Sequence, residues 1–207
     1  MVCGSTKCRT HIIKASLLVW AIGSASVATA AAASSNQPAE QLQGHVPEAW
    51  VLGVNRNVGE LSIHEYFPPD TEQHWQQKVV YESLTTDQLP DALHYADGLV
   101  EQQEKGCEDF SENKIFSGFE NQYPTVVQLI VCGKNNVTGK PLVTLAKVIQ
   151  GNQSLYSITR IWRLEKAADD QEIFDLLPRG EFGAWSQTLK KVQLCDPSLS
   201  AHPCQDE

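Results

Sequence analysis

Arg160, Trp162 and Arg163 stand in one short stretch of Leu155–Leu164, a segment whose apolar and β-branched residues favour an extended chain. Alternation along a strand puts Arg160 and Trp162 on one face and Arg163 on the other. A guanidinium beside an indole makes a flat cationic platform on which a polar ligand can sit. Arg160 and Trp162 are therefore the candidate ligand-binding pair, against the plainer reading of a cross-strand pair that covers the sheet. A second chemistry could come from His64 and His74, with Glu65 and Asp70 near them in the chain. If a helix after Pro68-Pro69 packs back on the preceding strand, an imidazole and a carboxylate could meet as a general base.

Other catalytic or metal arrangements find little support. The remaining histidines after residue 30 are His45, His94 and His202, and no two histidines stand at the i, i+2 or i, i+4 spacing of a metal pair. No C-x2-C pair and no G-x-S-x-G elbow occurs. Glu108-Asp109 and Asp169-Asp170 are adjacent in loops and do not face one another as an acid–base couple would. No catalytic residue, metal or cofactor is assigned.

The first thirty residues say where the protein works. Lys7, Arg9, His11 and Lys14 precede the apolar run Ala15–Ile22, and Ala28-Thr29-Ala30 then offers small residues to a signal peptidase. This is the order of a cleaved secretory leader, and the run is too short and too rich in alanine for a convincing membrane span. Loss of Lys7, Arg9 and Lys14 leaves thirteen basic side chains against twenty-five acidic ones, a net charge of −12. Such a balance disfavours nucleic acid and anionic membranes and mildly favours basic partners.

Cys3 and Cys8 leave with the leader. Cys107, Cys132, Cys195 and Cys204 remain, an even number in an exported chain, which reads as two disulfides. Of the three possible pairings, Cys107–Cys132 and Cys195–Cys204 join sequence neighbours, each bridge contributing about 2.5–3.5 kcal/mol through a modest loop.

These side chains need elements to position them. Residues 31–46 are small, polar and aperiodic, and read as a tether. Trp50–Val54 and Leu61–Phe67 form a β-hairpin. Asp70, with Gln73 in the capping-box position, predicts a helix to about Tyr81 with Trp75, Val79 and Val80 on one face. Ala92, Leu93, Ala96, Leu99 and Val100 recur at helical spacing between Pro90-Asp91 and Gly106. Ile115–Phe119, Thr125–Cys132, Leu142–Gln150 and Leu155–Leu164 read as a meander with short turns. Phe182, Trp185, Leu189 and Val192 mark a last amphipathic helix, with Lys190 and Lys191 near its negative end. The tail from Cys195 to Cys204 is a stapled loop.

The passages EYFPPDTEQHWQQ, GKPLVTLAKVIQGNQSLYSITRIWR and LCDPSLSAHPC, with the leader, resemble a family of uncharacterised periplasmic proteins of proteobacteria. The element order is similar to the sandwich of the photosystem II oxygen-evolving subunit P (PsbP) superfamily. The resemblance implies a fold and a compartment, and no activity. The expectation is a leader over 1–30, a tether over 31–46 and one α+β domain over 47–207. That domain would be a single antiparallel sheet of about six strands packed against helices. The function expected is a periplasmic, non-enzymatic binding or interaction module for an envelope protein or small ligand, in one form an inhibitor or immunity protein. The alternative is an envelope hydrolase on His64 or His74 with a nearby carboxylate.

Overall fold

The computed structural model describes residues 40–44, 46–165, 173 and 175–205. The leader, the tether up to residue 39, His45 and Asp169-Asp170 lie outside the described residues. Among those described, the strands are β1 (Gln41–Gln43), β2 (Val51–Val58), β3 (Leu61–Phe67), β4 (Gln77–Leu84), β5 (Cys107–Glu120), β6 (Tyr123–Asn135), β7 (Leu142–Gln150), β8 (Leu155–Arg163) and β9 (Gln193–Cys195). Two longer helices, α1 (Ala92–Lys105) and α2 (Glu181–Lys191), complete the described elements with a single 3-10 turn at Glu72–His74.

The strands make two sheets. Seven pair in the order β2-β3-β4-β8-β7-β6-β5, and β1 pairs with β9. The expected single sheet of about six strands is thereby corrected, and residues 77–84 together with the pair 41–43 and 193–195 account for the difference. A helix is expected from Asp70 to about Tyr81, because Trp75, Val79 and Val80 fit one helical face, but residues 77–84 are extended. They form β4, which pairs along its whole length with β8 and with β3 on its other side. Local helix signals lose here to ladder hydrogen bonds on both edges. Asp70 takes a left-handed φ of 61° and starts no α-helix. The second difference lies in the tether, whose last residues join the domain as β1: Leu42 lies opposite Leu194. Glu40 anchors this strand by accepting the amides of Asn152 and Gln153 in the β7–β8 turn. Gly151 makes room for that contact, since a Cβ there would sit 2.7 Å from the Ser154 carbonyl and against the Glu40 carboxylate.

Side-chain alternation gives the large sheet a front and a back. On the front, Val79, Tyr81, Val143, Leu145, Ile149, Ile158 and Trp162 meet Trp185 and Leu189 of α2, and Leu42 and Leu194 of the small sheet. On the back, Val126, Val148 and Leu155 meet Ala92 and Ala96 of α1. Asp91 Oδ1 accepts the His94 amide at 2.8 Å, capping α1, and the Gly106 amide closes its far end on the Gln103 carbonyl at 3.0 Å.

Disulfides join Cys107 to Cys132 and Cys195 to Cys204, with Cα–Cα separations of 5.7 and 4.9 Å. The first ties the base of the long β5–β6 hairpin. The second closes the tail, where the His202 ring lies 4.3 Å from that of Tyr123 and its Nδ1 contacts the Asn121 carbonyl at 3.0 Å. No described helix is long and apolar enough to cross a membrane.

Candidate functional site

Arg160 and Trp162 emerge on the front of β8, under the first turn of α2, and β4 lies beside them with Gln77 opposite Trp162. Trp162 is 1% exposed and donates its Nε1–H to Glu181 Oε2 at 2.9 Å. It is therefore a core residue that orients Glu181, and the expected open platform is not what it forms. Arg160 is 5% exposed and more unusual. Its Nη2 donates to Gln77 Oε1 at 2.6 Å and to Glu181 Oε2 at 3.3 Å. Its guanidinium carbon lies 4.2 Å from the Trp50 ring centroid, 5.2 Å from that of Trp162 and 5.5 Å from that of Trp185. Burial pulls the Arg160 pKa down to about 10, against the opposing pull of Glu181, so the side chain is still a cation at neutral pH.

Beside it opens a cavity of about 670 Å³, lined among others by Glu48, Trp50, Gln77, Arg160, Glu181 and Trp185. Arg160 Nε and Trp185 Nε1, on two residues of this lining, are buried without a hydrogen-bond partner among the described residues. Tyr81, Tyr123, Gln128 and Arg163 carry other such atoms, so these two do not by themselves set the place apart from the rest of the core. The acidic lip comes from Glu48, which is exposed, and the inner carboxylate from Glu181, at the start of α2.

The sequence placed Arg160 and Trp162 on a common face but could not supply the other walls. Trp50 arrives from the chain entering β2, Gln77 from β4 and Trp185 from α2. Trp185 carried a signal, the helical spacing of Phe182, Trp185 and Leu189, but that spacing speaks only of burial. Arg163 projects from the back, where its guanidinium carbon lies 4.3 Å from the Trp75 ring and Lys78 Nζ lies 5.0 Å from the same ring.

The histidine pair is not assembled. His64 pairs with Tyr81 in the β3–β4 ladder, on the front. The turn that carries exposed His74 leads instead into Trp75, whose contacts with Arg163 and Lys78 lie on the back. Among the described residues no hydrogen bond joins either imidazole to a carboxylate, and no group of three or more His, Cys, Asp or Glu is placed to hold a metal ion.

A second buried cation sits farther along the front. Lys147 Nζ donates to the carbonyls of Leu189 and Val192 at 2.8 and 2.6 Å and pairs with Glu120. It caps the C-terminus of α2 from the sheet, although sequence position had pointed to Lys190 and Lys191. Burial holds its pKa below the ordinary lysine value, with Glu120 pushing it back up.

Fold and site together define a two-sided sheet sandwich with an arginine-centred groove lined by tryptophans. No protein-family model matches the chain, and no curated protein matches its sequence. Solved structures align with much of the chain at low identity, three of them as follows. A Pseudomonas aeruginosa protein of unknown function is 13% identical, with 75% of this chain and 97% of that one aligned, at a TM-score of 0.43. The Saccharomyces cerevisiae Ran-binding protein Mog1p is 14% identical over 76% and 91% of the two chains, at 0.46. LpqN, involved in cell envelope biogenesis in Mycobacterium tuberculosis, is 13% identical over 77% and 87%, at 0.42. Likeness at this level establishes neither fold nor function.

Proposed function

We propose that this chain is an exported, non-enzymatic binding module of the periplasm, and that the groove between Trp50, Arg160 and Trp185 is where it takes its ligand or partner. One observation carries the reading: a cavity of about 670 Å³ whose lining brings the Arg160 cation together with Trp50, Trp185, Glu48 and Glu181. The leader pattern and the two disulfides support export to an oxidising compartment. An inhibitor or immunity-type role suits the acidity of the chain, which would steer a basic effector toward it.

The test uses Arg160→Lys, which keeps the positive charge and removes the Nε donor and the flat stacking surface. A stoichiometric partner or ligand should co-purify with the wild-type chain from envelope extracts and be lost, or weakened about tenfold or more, with the variant. Equal recovery with both chains overturns the assignment of the groove. Turnover of a reporter ester or peptide by the purified chain overturns the non-enzymatic reading.

A further inference from the structure

Toward the β5 edge of the front lies another cavity, which shares no lining residue with the groove. It measures about 290 Å³ and opens between α2 and β5, the outermost strand of the large sheet on that side. Val127 of β6, the buried Leu145 of β7 and the buried Leu189 of α2 give it an apolar floor. Ile115 and Phe116 form the outer wall, and they are 51% and 37% exposed. The backbone of β5 accounts for this wall. A bulge between Lys114 and Phe116 leaves Ile115 out of the ladder with β6, and bulges on edge strands re-aim side chains in this way. Gly118 lets the Phe116 ring lie along the strand, because a Cβ there would sit 3.0 Å from the ring's Cζ. Single exposed apolar side chains are ordinary, whereas these two are neighbours standing over an apolar floor.

Charge narrows the occupant. Glu120 and Lys147, both on the lining, pair with each other and offset one another. Lys190, in the last turn of α2, is exposed and makes no hydrogen bond or ion pair among the described residues. Beyond the bulge the front-facing positions of β5 are Asn113 and Ser111, whereas Glu112 shares the back with Ile130. The one uncompensated charge on the lining is therefore positive, on a chain whose formal net charge is −9. An apolar side chain from a partner protein would suit the floor but would leave Lys190 unused. A volume of about 290 Å³ stands at the lower end of the range for ligand sites, about 300–1,000 Å³, which suits one short chain better than the paired tails of a membrane lipid.

We infer that this pocket binds a medium-chain aliphatic carboxylate, its tail against Val127, Leu145 and Leu189 and its head group at Lys190.

The Ile115 Cδ1 methyl reports occupancy by NMR on the full folded chain, and Ile115→Val assigns its resonance. Octanoate should move that resonance saturably, and affinity should rise about three- to fourfold for each methylene added from hexanoate upward until the pocket is full. Lys190→Gln, at an exposed position, should weaken octanoate about two- to fivefold and leave octanol unchanged. If octylammonium binds as tightly as octanoate, or if Lys190→Gln leaves octanoate unaffected, the head group is not selected and the inference falls. If acetyl-leucine amide binds more tightly than octanoate, the pocket belongs to a partner's side chain instead. If octanoate leaves the Ile115 methyl in place, or moves methyls across the whole surface without saturating, the pocket is not a ligand site. None of these outcomes touches the groove, which is judged by capture of its partner with Arg160→Lys.

Discussion

The two faces of the seven-stranded sheet hold their helices by different physics. The front buries a cluster of fifteen large and medium apolar residues, with Trp162, Trp185 and Leu189 among them. The cluster on the back has five, two of them the alanines of α1. On its back the sheet also presents Gln128, Thr144, Ser157 and Thr159, all buried. Helix α1 is tied down by side-chain hydrogen bonds: Tyr95 to Glu82 at 3.2 Å, Thr144 to Gln103 at 3.1 Å, and the Ala92 amide to Gln150 at 3.2 Å. Area removed from water stabilises far more than exchanged hydrogen bonds, so α2 belongs to the most stable part of the molecule and α1 to a looser one. The front also carries the buried cations, Arg160 and Lys147, which are tolerated only where the surroundings are rigid enough to supply their partners. The proposed groove thus lies on the more heavily packed face.

Removing the Lys147 ammonium should break this contrast most severely. Lys147→Met keeps the apolar stem but strands two helix-terminal carbonyls and Glu120, and is expected to cost about 3–5 kcal/mol in chemical denaturation. A loss under 1 kcal/mol would show that α2 is held by its apolar face alone. Truncation measures the asymmetry next. Leu189→Ala, on the front, should destabilise by about 3 kcal/mol, and Leu99→Ala, on the half-buried face of α1, by about 1 kcal/mol. Equal losses would mean that both faces are packed alike.

The smallest effect depends on pH and sharpens the picture of the back. Burial raises the Glu82 pKa above 4.5, an effect only partly opposed by hydrogen bonds with Tyr95 and Ser157 and by Arg56, and reinforced by Glu65. The folded chain therefore holds this proton more tightly than the unfolded chain. The resulting contribution to stability is fully present below pH 4.5 and is lost as the pH rises through the raised value. Glu82→Gln can still accept from Tyr95, so its melting temperature should rise relative to wild type as the pH climbs from the carboxylate range toward neutrality. A difference that stays flat with pH would remove the burial argument for this side chain.

Much of this architecture was legible in the chain. The α1 pattern between Asp91 and Gly106, the α2 spacing of Trp185 and Leu189, and the β6–β8 meander all have strong local periods. The residues 77–84 did not, since Val79 and Val80 suit a helix face and a strand equally, and only pairing with Tyr66 and Arg160 on either side selects the strand. β1 gave no signal for the same reason: Gln41–Gln43 has no period of its own and is ordered by β9 and by Glu40. At the site, alternation put Arg160 and Trp162 on one face. It could not separate their roles, because how far each is covered depends on α2.

Residue types and spacing alone determined the leader pattern, the acidity, which cysteines are close in sequence, and the alternation that pairs Arg160 with Trp162, since each is a property of neighbouring residues. Tertiary structure alone decided that Trp50, Gln77, Glu181 and Trp185 converge on Arg160 and that a lysine from β7 caps α2. Those contacts join segments up to a hundred or so residues apart, and their energy comes from excluding water from a shared space, which no local pattern encodes.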